Sequence, residues 1–176
     1  MINHNKKSQV WVETVIYTVI GLSIIAVIFT VANPQIEKIK DKSIVEQTVN
    51  ALNSLDNKIA EVEQAPGSTR MIEFAIGKGS LEIDGANDLI KYTLEDTKLE
   101  LSQVGTPIQQ GRIELLTEKT ASRYMITLTM KYNLNITNNN LDTDKVLSAG
   151  ATPYKISIEN KDVSVGNPTQ IDLNVI

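Results

Sequence analysis

The spacing of apolar and polar positions changes twice along the chain. Residues 14–32 carry no charge and are almost wholly apolar, a length of helix roughly sufficient to cross a hydrocarbon core of ~30 Å. Gly21 and Ser23 lie mid-run, small enough to let neighbouring helices approach. Asn33-Pro34 follows. Proline lacks a backbone donor and disfavours helix in the residue before it, so a kink, a melted turn or a break is expected at Pro34. Beyond it, Val45, Val49, Leu52, Leu55, Ile59 and Val62 step by three and four, with Glu46, Asn53, Lys58 and Glu61 on the other side. Residues 35–65 therefore read as an amphipathic helix whose stripe must be covered. Ala65-Pro66-Gly67-Ser68 ends it. A single helix over residues 9–64 would measure roughly 80 Å at 1.5 Å per residue.

After Thr69 the period falls to two. Ile72, Phe74 and Ile76 alternate with polar neighbours, and Leu81 and Ile83 follow across Gly77-Lys78-Gly79, which reads as a hairpin. Ile90, Tyr92 and Leu94 form the next alternation, and shorter strands are expected at 98–101 and 112–117. The longest runs from Tyr124 through Ile126, Leu128, Met130, Tyr132 and Leu134 to Ile136, and two more lie at 154–158 and 171–175. Half-apolar strands with turn signals between them predict a small antiparallel sandwich, with an immunoglobulin-like arrangement among the candidates. The fold class is α+β: a long N-terminal helix, then an antiparallel β-sandwich over residues 66–176.

Composition narrows the chemistry. With 176 residues the chain has room for one globular domain besides the helix. A net charge of -4 and a pI of about 5.1 leave no electrostatic footprint for nucleic acid. There is no cysteine, hence no disulfide framework and no thiolate site, and the one histidine, His4, sits in a polar N-terminal segment. Ile76-Gly77-Lys78-Gly79-Ser80 lacks the earlier glycine of a phosphate loop and has Gly79 where Ser or Thr should follow the lysine. Asp142 and Asp144 lie in the polar cluster 138–144, which lacks the glycine and final glutamate of an EF-hand and reads as a solvated loop. No catalytic residue, metal ligand or cofactor is expected, and the chain does not read as an enzyme. Asn135-Ile136-Thr137 is a glycosylation sequon, which makes Asn135 a candidate acceptor; Asn167-Pro168-Thr169 fails because proline fills the middle position.

The N-terminus carries the most specific signal. Lys6 and Lys7 precede a small residue, Ser8, then Gln9; a lone carboxylate, Glu13, sits at the start of the apolar run. A carboxylate inside lipid costs about 2.5–3.5 kcal/mol even on the lenient insertion scale, so an ordinary anchor has no reason to carry one. A basic pair, a small residue, and a glutamate five residues into the new chain resemble the start of archaeal type IV pilin-like proteins, which carry a class III signal peptide. The resemblance covers about residues 1–35. Ser8 stands where that family most often has glycine.

The resemblance implies a cut by prepilin peptidase between Ser8 and Gln9. Residues 1–8 would be a leader, 9–34 a membrane and filament-core helix, and 35–65 an amphipathic helix packed on the β-rich remainder. It also implies that Glu13 pairs with the amine of a neighbouring subunit's Gln9, each being a poor occupant of an apolar bundle alone. The implied partners are other copies of the chain in a helical filament, the peptidase, and an assembly ATPase with its membrane platform. Before assembly the chain would sit in the cytoplasmic membrane, with Lys6 and Lys7 holding the N-terminus inside; afterwards it would lie in a cell-surface adhesion filament. The other reading is a single-pass surface binding domain, or a minor pilin, that does not build the main filament.

Overall fold

The computed structural model describes residues 5–161 and 168–176, with side chains from Val10 onward. The chain order is α1 (Asn5–Glu63), β1 (Thr69–Phe74), β2 (Ser80–Asp84), β3 (Leu89–Thr97), β4 (Ile108–Gln110), β5 (Ile113–Thr120), β6 (Arg123–Lys131), β7 (Asn135–Thr137), β8 (Lys145–Ser148), β9 (Tyr154–Asn160) and β10 (Gln170–Val175). Two compact units divide it between Ile39 and Lys40, within α1. The first contains the apolar run; the second is α+β and contains every strand.

In the second unit α1 contributes one side of the core. Val45, Val49, Leu52, Leu55, Ile59 and Val62, the stripe expected from the sequence, are all buried. They join one apolar cluster with Phe74, Tyr92, Leu128, Ile158 and Leu173 from both sheets. The helix stops as its C-terminal carbonyls find other donors. The Asn160 side-chain amide, reaching from β9, donates to the carbonyls of Val62 and Glu63 at 3.0 and 3.2 Å. Satisfying such orphan carbonyls is what a helix end requires.

The strands form a four-stranded sheet, β1-β9-β10-β7, and a six-stranded sheet, β4-β5-β6-β3-β2-β8. Every pairing is antiparallel except β10 with β7. The alternation seen in sequence is realised in β3 and β6, where Ile90, Tyr92, Leu94, Ile126, Leu128 and Met130 are fully buried. The arrangement is the expected sandwich-like one, with half of a helix built into its core.

Four local expectations are corrected. Gly77-Lys78-Gly79 does not close a hairpin: β1 and β2 belong to different sheets, and the segment carries the chain from one to the other. Gly79 is required there, since at φ +81° a Cβ would stand 2.3 Å from the Thr93 carbonyl oxygen. The run through Ile136 is two strands, not one. β6 ends at Lys131 and β7 joins the other sheet, because Asp88 takes both sides of the switch: its carbonyl accepts from Tyr132 N–H at 2.9 Å and its carboxylate from Ile136 N–H at 2.8 Å. Residues 98–101 are not a strand, and Leu99 and Leu101 instead pack as irregular chain against the core. Finally, α1 continues through Pro34 without a break or melted turn; the ring only removes the N–H that Thr30's carbonyl would otherwise accept. β4 and β8, three and four residues long, are too short to announce themselves by alternation.

Candidate assembly helix

Residues 10–31 of α1 are apolar around the whole circumference, and nearly all are exposed. A helix apolar all round is built to be covered by something other than water. Its threonine and serine hydroxyls are satisfied internally: Thr14 donates to the Val10 carbonyl at 2.9 Å, Thr18 to Thr14 at 2.8 Å, Ser23 to Val19 at 2.7 Å and Thr30 to Val27 at 2.8 Å. The segment thus offers little unpaired polarity to an apolar environment, where unsatisfied groups are costly. By length and composition this helix is long and apolar enough to cross a membrane. Trp11 and Tyr17, each 72% exposed, sit toward its N-terminal end, where amphipathic rings favour a headgroup level.

Glu13 lies on this helix and is exposed. Lys6, Lys7, Ser8 and Gln9 fall within the helical backbone, but their side chains, like the whole of residues 1–4 with His4, lie outside the described residues. Pro34 sits three residues past the apolar run. Asn135 belongs to the β-rich unit, at the start of β7: it is half-buried and its N–H donates to the Thr169 carbonyl at 3.0 Å. Thr137, the third sequon residue, is buried and donates its hydroxyl to Asp172 at 2.8 Å. Asn167 of the failed sequon lies outside the described residues.

Where α1 enters the β-rich unit it is held by polar contacts that sequence reading missed. Asp41, one turn before Val45 on the buried stripe, is only 5% exposed. It accepts from Lys78 Nζ at 2.8 Å and from the buried Thr97 hydroxyl, which in turn accepts from Leu99 N–H at 3.0 Å. The Gly77-Lys78-Gly79 segment therefore carries its lysine onto a helix carboxylate, and the Tyr92 hydroxyl donates to the Lys78 carbonyl beneath it. Burial holds the Tyr92 phenol above its usual range, with the nearby Asp41 charge acting in the same direction and a hydrogen bond to Thr48 against it. The available signal was a charge in phase with an apolar stripe, which in a folded helix needs a partner.

A second fastening lies further along. Arg112 Nε is 3.2 Å from Asp56 Oδ1, and its guanidinium stands 5.4 Å from the centre of the Tyr132 ring, a cation–π distance. Burial, then the charge and hydrogen bonding of Asp56, push the Tyr132 phenol far up, with Arg112 opposing. Away from α1, a cavity of about 500 Å³ opens at the β5–β6 turn, lined by Glu95, Asp96, Arg123 and Met125 among others. Arg123 Nε is 3.4 Å from Asp96 Oδ1 there, and Asp96 and Ala121 both take left-handed backbone. Among the described residues no group of three or more His, Cys, Asp or Glu is placed to hold a metal ion.

Compared with protein-family models, with curated proteins and with solved structures, the chain matches none. Its function is therefore argued from the helix itself.

Proposed function

We propose that the chain is a structural subunit of a type IV pilus-like surface filament of the archaeal kind, processed by prepilin peptidase between Ser8 and Gln9. One observation carries this reading. The run of α1 over residues 10–31, apolar around its circumference, carries a single carboxylate, Glu13, at its start, and further along the same helix is built into the core of a β-rich unit. A permanent anchor gains nothing from Glu13. A subunit that leaves lipid to pack among copies of itself does, because Glu13 then meets the new amine of a neighbour's Gln9. Lipid tails are as apolar as the helix, so exchanging them for other helices gains little from hydrophobicity. Packing and the Glu13–amine pair then set register, and an assembly ATPase supplies the work.

The variant Glu13→Ala separates this reading from a plain anchor. Membrane insertion and processing should persist, since removing a carboxylate from lipid is favourable. Filaments in the sheared surface fraction should fall at least tenfold. A normal filament yield from Glu13→Ala would remove the pairing argument.

A further inference from the structure

One end of the four-stranded sheet holds a polar triad that assembly does not use. β7 and β10 run parallel, with Thr137 opposite Asp172 in register. Gln170 lies two residues earlier on β10, and so on the same face as Asp172. Thr137 is 2% exposed and Asp172 4% exposed, and Gln170 is half-buried beside them. The Thr137 hydroxyl donates to Asp172 Oδ1 at 2.8 Å, and the same oxygen accepts from Gln170 Nε2 at 3.2 Å. The carboxylate is itself held by the backbone N–H of Asn140, which donates to Oδ1 at 2.6 Å.

These contacts have the form of an activated nucleophile: a hydroxyl, a base within hydrogen-bond reach, and a third group that orients the base. The other neighbour of the hydroxyl adds an electrophile. With its proton directed to Asp172, the Thr137 oxygen turns its lone pairs toward a carboxamide, whose carbon Cδ is one covalent bond from the nitrogen it contacts. An amide resists a hydroxyl free in solution. Here strand register holds the two together, which is the placement that gives intramolecular reactions their large effective molarities. The chain has no cysteine, so a covalent tie between its strands has to use other side chains.

We infer that Thr137 and Gln170 join in an intramolecular ester, formed once by the folded chain itself. Asp172 takes the hydroxyl proton as Thr137 Oγ1 attacks Cδ of Gln170. The Oγ1–Cδ bond forms, the tetrahedral centre collapses, and the Cδ–Nε2 bond breaks. Asp172 passes the proton to the leaving nitrogen, so ammonia departs and the carboxylate is regenerated. Ammonia is protonated and diluted in neutral water, which keeps the step from reversing. The product ties the edge strand β7 to β10 and restricts the unfolded chain as a disulfide would. This inference is independent of the filament reading.

The test is a peptide map of the full chain purified in detergent. Trypsin cuts after Lys131, Lys145 and Lys161, so Thr137 falls in peptide 132–145 and Gln170 in peptide 162–176. The expected species is these two peptides joined, lighter than their sum by one ammonia, about 17 Da, and separated by hydroxylamine. Cyclisation of an N-terminal Gln9 also loses ammonia, so the joined pair is read and not the intact mass. Thr137→Val should abolish the pair, and Asp172→Asn should slow its appearance at least tenfold. Recovery of both peptides only in free form from the folded wild-type chain would overturn the inference and leave the filament reading standing. A joined pair forming at the wild-type rate in Asp172→Asn would overturn the assignment of Asp172 as the base.

Discussion

Asp41 illustrates how one side chain can fix an element. Its carboxylate is buried while Lys78 is 39% exposed along its side chain, so the two ends of their ion pair are not equivalent. Asp41→Ala strands the buried Thr97 hydroxyl as well as the lysine and should cost about 2 kcal/mol, as loss of hydrogen bonds to a charged group does. Lys78→Ala leaves that buried carboxylate without its cation, held only by Thr97, and should cost at least about 2 kcal/mol as well. Denaturant titration of the detergent-solubilised chain, followed by circular dichroism, measures both; no measurable loss in either variant would contradict this assignment. Two buried tyrosines set the alkaline limit. Tyr92 and Tyr132 have phenols raised by burial above the ordinary 10.0, so folding favours their protonated forms. Their contribution is complete below the unfolded value of about 10 and is lost as pH rises above it. Thermal stability should be flat with respect to these groups up to about pH 9 and decline beyond pH 10, and Tyr132→Phe should flatten part of that decline. An unchanged slope in Tyr132→Phe would count against the buried phenol as its source.

At the scale of elements, α1 is one helix with two kinds of surface. Leu55 is fully buried, and Leu55→Ala should cost about 2–5 kcal/mol through lost transfer energy and the cavity left behind. Asn53→Ala on the outward face should leave the single chain as stable or slightly more so. Comparable losses in the two variants would mean that the helix faces have been assigned wrongly. The buried stripe was legible because six apolar residues kept a helical period, and β3 and β6 because each alternated cleanly. The sheet change after Lys131 was not, because the apolar period of two continues through Tyr132, Leu134 and Ile136 and only Asp88, more than forty residues earlier, redirects it. Gly77-Lys78-Gly79 misled for a related reason: its glycines announce a tight turn, but whether such a turn joins neighbours or changes sheet is set by long-range packing that local sequence does not carry. At Pro34 the sequence reads as a missing donor, and the break or melted turn it suggests does not occur, since a helix can continue through one absent hydrogen bond.

For the whole molecule, the apolar run, Glu13 and the β-rich unit have to be accounted for together. The fold class followed from periodicity, whereas the division between Ile39 and Lys40 has no signal in it. The proposed assembly residues rest on the spacing of Lys6, Lys7, Ser8, Gln9 and Glu13 and on the resemblance it carries, a signal in sequence rather than in contact, since the proposed partner amine would belong to another copy. Processing and assembly are joined in one prediction, so one measurement tests both: the N-terminal mass of the protein recovered by shearing filaments from cells. The account predicts a chain beginning at Gln9 in the sheared fraction. A chain that still begins at Met1 and remains with the membrane would contradict it, and would make this an anchored surface domain.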